Sequence, residues 1–159
     1  MKTIIISAKK TLEDGNLVIF PTETVYGLGG DATNVEAIKK IYSLKKRPFF
    51  NPIICHFMNI EAIEKNFEIN EQEHDVGKAF WPGPMTIILK KKKISSIQPL
   101  LSNNLEWVGC RIPKHPIALD LLAAVNFPIA APSANLATKI SSTQTNHLSS
   151  KLKENAFLI

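Results

Sequence analysis

The stretch Leu17-Val-Ile-Phe-Pro-Thr-Glu-Thr-Val-Tyr-Gly-Leu-Gly-Gly-Asp31 decides the fold. Leu17 to Phe20 is a short apolar, β-rich run halted by Pro21, the pattern of a buried strand. Upstream, Ala8 to Asp14 is helix-compatible with Gly15 as a natural stop, and Lys2 to Ile6 is a further β-rich run, so the chain is expected to open β-α-β. Downstream, Pro21 to Thr33 reads as a loop in which Gly27, Gly29 and Gly30 form a glycine-rich strand-to-helix connection. Asn34 can then cap a helix in which Val35, Ile38, Ile41 and Tyr42 recur at helical spacing, running to about Lys45 ahead of Pro48.

Ile53 to Phe57 reads as the next strand, Glu61 to Phe67 and Glu71 to Phe80 as helices, and Met85 to Leu89 and Val108 to Ile112 as strands separated by a polar, irregular stretch. Ile117 to Val125 is a strongly apolar helix, Pro128 to Ala131 a short strand, and Ser142 is placed to cap a final helix over Thr143 to Lys153. The alternation predicts an α/β sheet with helical cover. No repeat, low-complexity tract or Gly/Ser linker divides the 159 residues, which suit one domain.

With 45% apolar and 21% charged residues the composition is globular, which excludes a disordered, collagenous or coiled-coil chain. No apolar run approaches the roughly 18 to 20 residues that span a bilayer, and Ile4 to Ile6 is too short for a signal-peptide core, so no membrane partner is expected. Lys and Arg outnumber Asp and Glu by 19 to 14, a net charge of +5 that is compatible with an anionic partner such as a nucleotide or RNA. Cys55 and Cys110 have neither CxxC nor Cys/His spacing, so no zinc site or disulfide framework is expected, and a reducing cytoplasm fits.

Neither GxxxxGK[ST] nor GxGxxG occurs, so a standard nucleotide fold is not supported, and the glycines by themselves read first as turn residues and second as a place where a ligand approaches backbone. Thr22, Glu23 and Thr24 set hydroxyls and a carboxylate just past a buried strand, where α/β proteins commonly place ligand groups. Lys45-Lys-Arg47 stands at a helix end, where cations also complement the helix dipole, and Asn51-Pro-Ile-Ile-Cys-His56 follows at once. Such a set suits phosphate or carboxylate recognition, because Arg holds an oxyanion through paired bonds and Lys supplies a point charge. Arg111 inside an apolar strand needs an anionic partner, either a protein carboxylate or a ligand. Pro132-Ser-Ala-Asn135 offers a hydroxyl and an amide that could equally make a local turn. Lys90 to Lys93 reads as a solvated strand end or, alternatively, a phosphate-backbone patch; Trp81-Pro-Gly-Pro84 reads as a rigid turn with a packed indole.

Pro21-Thr-Glu-Thr-Val-Tyr-Gly-Leu-Gly29, Lys45-Lys-Arg47-Pro, Asn51-Pro, His56, Trp81-Pro-Gly-Pro84, Arg111-Ile-Pro with His115-Pro, and Ala131-Pro-Ser-Ala-Asn135 resemble the YrdC family of threonylcarbamoyl-AMP synthases across nearly the whole chain. Each motif is short; their number, order and spacing carry the resemblance. It implies a YrdC-like twisted mixed β-sheet with helical cover and a basic concave site. It also implies condensation of L-threonine, bicarbonate and ATP, with Mg2+, into threonylcarbamoyl-adenylate and pyrophosphate, for threonylcarbamoyladenosine formation in tRNA. By the resemblance, Thr24, His56, Arg111 and Ser133 would bind threonine, with Arg111 on its carboxylate. Lys45 and Arg47 would be catalytic through the reacting anions, and Arg47, Asn51, Asn135 and Thr143 would bind ATP. No protein-bound metal site is implied, and no general base stands out. Possible further partners are tRNA or double-stranded RNA and downstream threonylcarbamoyl-transfer proteins.

The chain departs from the family pattern in three places. Trp107 stands where a Thr is usual four residues before the Arg; Leu136-Ala-Thr-Lys-Ile-Ser-Ser-Thr143 replaces a Ser-Gly pair and Ser-Pro-Thr; and the family continues past the Phe157-Leu-Ile159 strand with site-closing residues. The expectation is one YrdC-like domain over 1–159 that lacks its C-terminal segment and makes little adenylate alone. The competing readings are a carbamoyltransferase-type domain of the same fold and a non-catalytic RNA-binding module that uses Lys90 to Lys93.

Overall fold

A computed structural model describes residues 2–136 and 141–159. Helix α1 (Lys2–Glu13) precedes strands β1 (Val18–Phe20) and β2 (Gly27–Asp31), then α2 (Val35–Lys45), β3 (Cys55–His56), α3 (Ile60–Glu64), β4 (Phe67–Glu68) and α4 (Glu71–Phe80). Strands β5 (Ile87–Lys91) and β6 (Trp107–Arg111), helix α5 (Pro116–Ala124), β7 (Ile129–Ala130), α6 (Ser150–Asn155) and β8 (Phe157–Leu158) complete the order. The strands form one mixed sheet in the order β4-β5-β6-β3-β7-β2-β1-β8, with β1–β8 and β3–β6 parallel and the other pairs antiparallel.

Alternation along the strands sends side chains to two helical layers. Leu17, Ile19, Cys55 and Cys110 pack with Ile38, Ile41 and Tyr42 of α2, Ile63 of α3 and Leu152 of α6. Val18, Phe20 and Ile129 face Ile5, Ala8 and Leu12 of α1 and Leu121 and Leu122 of α5. Toward β5 and β6 that second layer ends, and Ile88 and Trp107 are exposed.

Local chemistry fixes the helix ends as expected at two places. Gly15, at φ +71°, closes α1, with its own N–H bonded to Leu12 O and that of Asn16 to Thr11 O. Asn34 caps α2 by accepting from the N–H groups of Glu36 and Ala37.

Four expectations are corrected. Lys2 to Ile6 is helical, because Ile5, Ala8 and Leu12 form one buried stripe at helical spacing, and burial outweighs the β preference of the Ile run. Pro21 to Thr33 is not all loop: Gly27–Asp31 is a central strand. Its glycines serve packing, since a Cβ on Gly29 would lie 2.7 Å from Phe20 Cε1 and 2.8 Å from Ile129 Cγ2. The helix expected over Glu61 to Phe67 stops at Glu64, and Phe67 is a buried strand residue. Ser142 is no helix cap: it is buried and its hydroxyl donates to Ala134 O (3.1 Å), while Ser149 caps the final helix, α6.

Candidate active site

Strand register brings together residues that are far apart in sequence. His56 and Arg111 stand opposite each other across β3 and β6, on the face away from Cys55 and Cys110. Arg111 is 7% exposed and is held from two directions. Its Nε donates to Gly83 O (3.2 Å) and its Nη2 to Thr24 Oγ1 (3.1 Å). Gly83 lies in the Trp81-Pro-Gly-Pro84 turn, where Gly83 N–H bonds Ile112 O and the Trp81 indole, buried as expected, donates to Met85 O (2.8 Å). A side chain at residue 83 would collide with Phe80 O at 2.3 Å, so the carbonyl that orients Arg111 depends on glycine.

Of the two readings of Arg111, the protein supplies a carboxylate: Glu23 Oε1 is 2.9 Å from Nη2. Both Glu23 oxygens are buried, so the contact is a desolvated ion pair. Burial works to raise the Glu23 pKa, but hydrogen bonding from the Arg111 side chain and from the Lys114 and Glu23 backbone, together with the Arg111 charge, outweighs it and holds the carboxyl below the usual range. Sequence reasoning placed Glu23 near ligand groups but did not assign it to Arg111. The available signal was a lone carboxylate in a run that also supplies Thr24.

His56 is 3% exposed, with its ring edge-on to Phe20 at 6.1 Å and Nδ1 unpartnered. Burial first, then the positive charge of Arg111, push its pKa down to about 4, so the imidazole is neutral at pH 7. Thr22 Oγ1 donates to Val25 O (2.7 Å) and accepts from the Thr24 and Val25 N–H groups, a turn that presents the Thr24 hydroxyl.

Thr24, His56, Arg111 and Ser133, the four residues expected around threonine, line one recess of about 50 Å³ with Thr22 and Ile54. None of the other expected residues lines it; Lys45 and Asn135 meet at Ser133, and Arg47 meets Asn51. Lys45 is 2% exposed, and its ammonium donates to Ser133 O (2.5 Å) and to Asn135 O. Burial, then Arg47, lower its pKa to about 8. Ser133 Oγ donates to Asn135 Oδ1, and Asn135 Nδ2 to Leu136 O (3.1 Å). Lys45 thus fastens the Ser133–Asn135 loop to the end of α2 instead of standing open to solvent. Arg47 binds Asn51 through its carbonyl (3.0 Å) and Oδ1 (2.8 Å), with Pro52 O at 2.8 Å, so these two residues are adjacent outside the recess.

Thr143 is exposed, 3.5 Å from His147 Nδ1, and follows Ser142, whose carbonyl accepts from Tyr26 N–H (2.9 Å). The substituted loop before it lies partly at residues 137–140, outside the described residues. Trp107 is half exposed on the Arg111 face of β6. In the lysine run, Lys90 pairs with Glu68 (3.6 Å), Lys91 donates to Ser102 Oγ (3.4 Å) and Lys92 to Glu64 O (2.6 Å). Among the described residues no three His, Cys, Asp or Glu side chains gather as a metal site, and no helix is long and apolar enough to cross a membrane. Two larger hollows, of about 580 and 610 Å³, lie away from Arg111; the recess is the place where the candidate residues converge.

Known proteins are similar to this chain in sequence and fold. The Sua5/YciO/YrdC family model, described as telomere recombination, matches residues 10–159. A Bacillus subtilis protein named threonylcarbamoyl-AMP synthase is 44% identical over 149 residues, covering 93% of this chain and 43% of its own length. A Pyrococcus abyssi protein of the same name is 40% identical over 159 residues, covering 92% and 46%. The crystal structure of P. abyssi Sua5 complexed with L-threonine superposes with a TM-score of 0.88 at 38% identity, over 99% of this chain and 46% of that one. The chain spans about half the length of the curated relatives it matches. With the family model covering nearly all of its residues, the chain belongs to the Sua5/YciO/YrdC family.

Proposed function

We propose that residues 1–159 form a YrdC-like domain that binds L-threonine in the Arg111 recess and serves threonylcarbamoyl-AMP synthesis. The observation that carries the reading is the convergence of Thr24, His56, Arg111 and Ser133, from four separate segments, on one small recess. A relative at 38% identity is known in complex with L-threonine, which supports the same ligand here. The guanidinium of Arg111, held by Gly83 and Thr24, keeps Nη1 for the threonine carboxylate, while Thr24 and Ser133 offer hydroxyls. Neutral His56 presents a ring nitrogen as a hydrogen-bonding group; with a pKa of about 4 it is a weak base, so its role is orientation.

The chemistry needs two anions held together. Threonine's amine, after losing a proton, attacks the carbon of bicarbonate and water leaves, giving a carbamate. A carbamate oxygen then attacks the α-phosphorus of ATP, and the bond to pyrophosphate breaks. Mg2+ bound to ATP would neutralise phosphate charge. Arg47 and Asn51, at the mouth of the α2 end, are assigned to the phosphates, and Asn135 and Thr143 to the nucleotide. Lys45 positions the loop that carries Ser133 and Asn135. Catalysis rests on positioning and charge stabilisation. The adenylate would pass to proteins that transfer the threonylcarbamoyl group to tRNA in the cytoplasm.

The test is pyrophosphate release by the purified chain with L-threonine, bicarbonate and Mg-ATP. Weak, threonine-dependent release is expected, with Arg111→Ala raising the threonine KM by roughly 10- to 100-fold through loss of a charge-assisted contact. Release that ignores threonine, turnover of carbamoyl phosphate instead, or only salt-sensitive, threonine-insensitive RNA binding would each overturn the reading.

A further inference from the structure

A buried guanidinium acting alone would attract any small anion, and the proposed reaction surrounds Arg111 with several: bicarbonate, the phosphates of ATP and released pyrophosphate. The structure does not leave Arg111 alone. Glu23 lies 2.9 Å from Nη2, with the two side chains 18% and 9% exposed. The guanidinium also donates to Gly83 O and Thr24 Oγ1, and both Glu23 oxygens are buried beside it. Whatever bracing it gives, Glu23 places a full negative charge against Arg111. His56, which lines the recess with Arg111, is neutral at pH 7 and adds none.

We infer that Glu23 is a positioning residue that sets charge selectivity, cancelling the charge of Arg111 so that the recess takes a zwitterionic α-amino acid in preference to a bare anion. The inference rests on the threonine reading above. A carboxylate without an ammonium gains from Arg111 and loses to the Glu23 charge beside it. A zwitterion brings its own cation, which Glu23 attracts, so the net field favours it. The consequence is that bicarbonate and phosphate are turned away from the amino-acid position and kept for their own part of the reaction.

The experiment is calorimetric binding to the full chain of four probes: L-threonine, the hydroxy acid carrying a hydroxyl in place of its ammonium, threonine amide, and inorganic phosphate. In the wild type, threonine is expected to bind at least about tenfold more tightly than the hydroxy acid or the amide. Glu23→Gln should shrink the threonine-to-hydroxy-acid ratio about tenfold and let phosphate compete, while Glu23→Asp, which keeps the charge, should restore the ratio. A Gln variant with the wild-type ratio overturns the inference. Should that variant fail to fold, the wild type still decides, because equal binding of threonine and the hydroxy acid refutes charge cancellation. Absence of any threonine binding to the wild type would remove the threonine reading and this inference together; threonine binding without selectivity would remove the inference alone.

Discussion

Acid should destabilise this chain through His56. The imidazole is buried and neutral, with its pKa pushed down to about 4 from an ordinary 6.5, by burial first and the neighbouring Arg111 second. Between those two values the unfolded chain binds a proton that the folded chain refuses. Stability is therefore complete above pH 6.5 and is lost as the pH falls toward 4. The whole gap corresponds to about 3 kcal/mol, of which about 2 kcal/mol is lost by pH 5. For a domain of this size that is a fall in Tm of about 4 to 8 °C. The assay is urea or thermal unfolding at intervals from pH 7 to pH 5, run beside His56→Gln. Carboxylates titrate in both proteins, so the difference between the two pH profiles isolates the imidazole. His56→Gln should be less stable than wild type at pH 7 and lose the extra acid sensitivity. Parallel profiles, with a difference that does not change between pH 7 and 5, would refute a neutral buried His56 and with it the orienting role assigned to that ring.

Gly29→Ala should cost about 1 to 3 kcal/mol, because its Cβ would sit 2.7 Å from Phe20 and 2.8 Å from Ile129, and thermal unfolding should show it as a clear drop in Tm. Gly27→Ala, whose nearest contact is 3.3 Å, should cost less, and a reversed order would show that Phe20 is not fixed as described. Lys45→Met removes the donor to Ser133 O and Asn135 O and should cost about 1 to 3 kcal/mol in urea unfolding and weaken threonine binding; unchanged stability and binding would show that the ammonium does not hold that loop.

The parts of the fold that were legible in the sequence are those fixed by neighbours along the chain. Asn34 before an apolar helical stripe, Gly15 after another, and the short run ended by Pro21 each carry their cause within a few residues. Two misreadings come from causes that lie elsewhere. Ile4 to Ile6 has the composition of a strand, and only the packing of Ile5, Ala8 and Leu12 against α5 makes it helical. Gly27 to Asp31 has the composition of a turn, and only the bulk of Phe20 and Ile129 above it explains why a central strand is built from glycine. The site divides in the same way. Residue types and order pointed to Thr24, His56, Arg111 and Ser133, and these share a recess. Who holds whom was not legible, because the contacts span most of the chain: Thr24 with Arg111, Lys45 with Ser133, Glu23 with Arg111. The sequence shows an arginine that needs an anion; only the fold, which brings the segment between β1 and β2 against the end of β6, determines that the anion is already present. Arg111 is therefore half of a neutral pair, and the threonine carboxylate proposed to bind there would have to be recognised against that background, not by an unopposed positive charge.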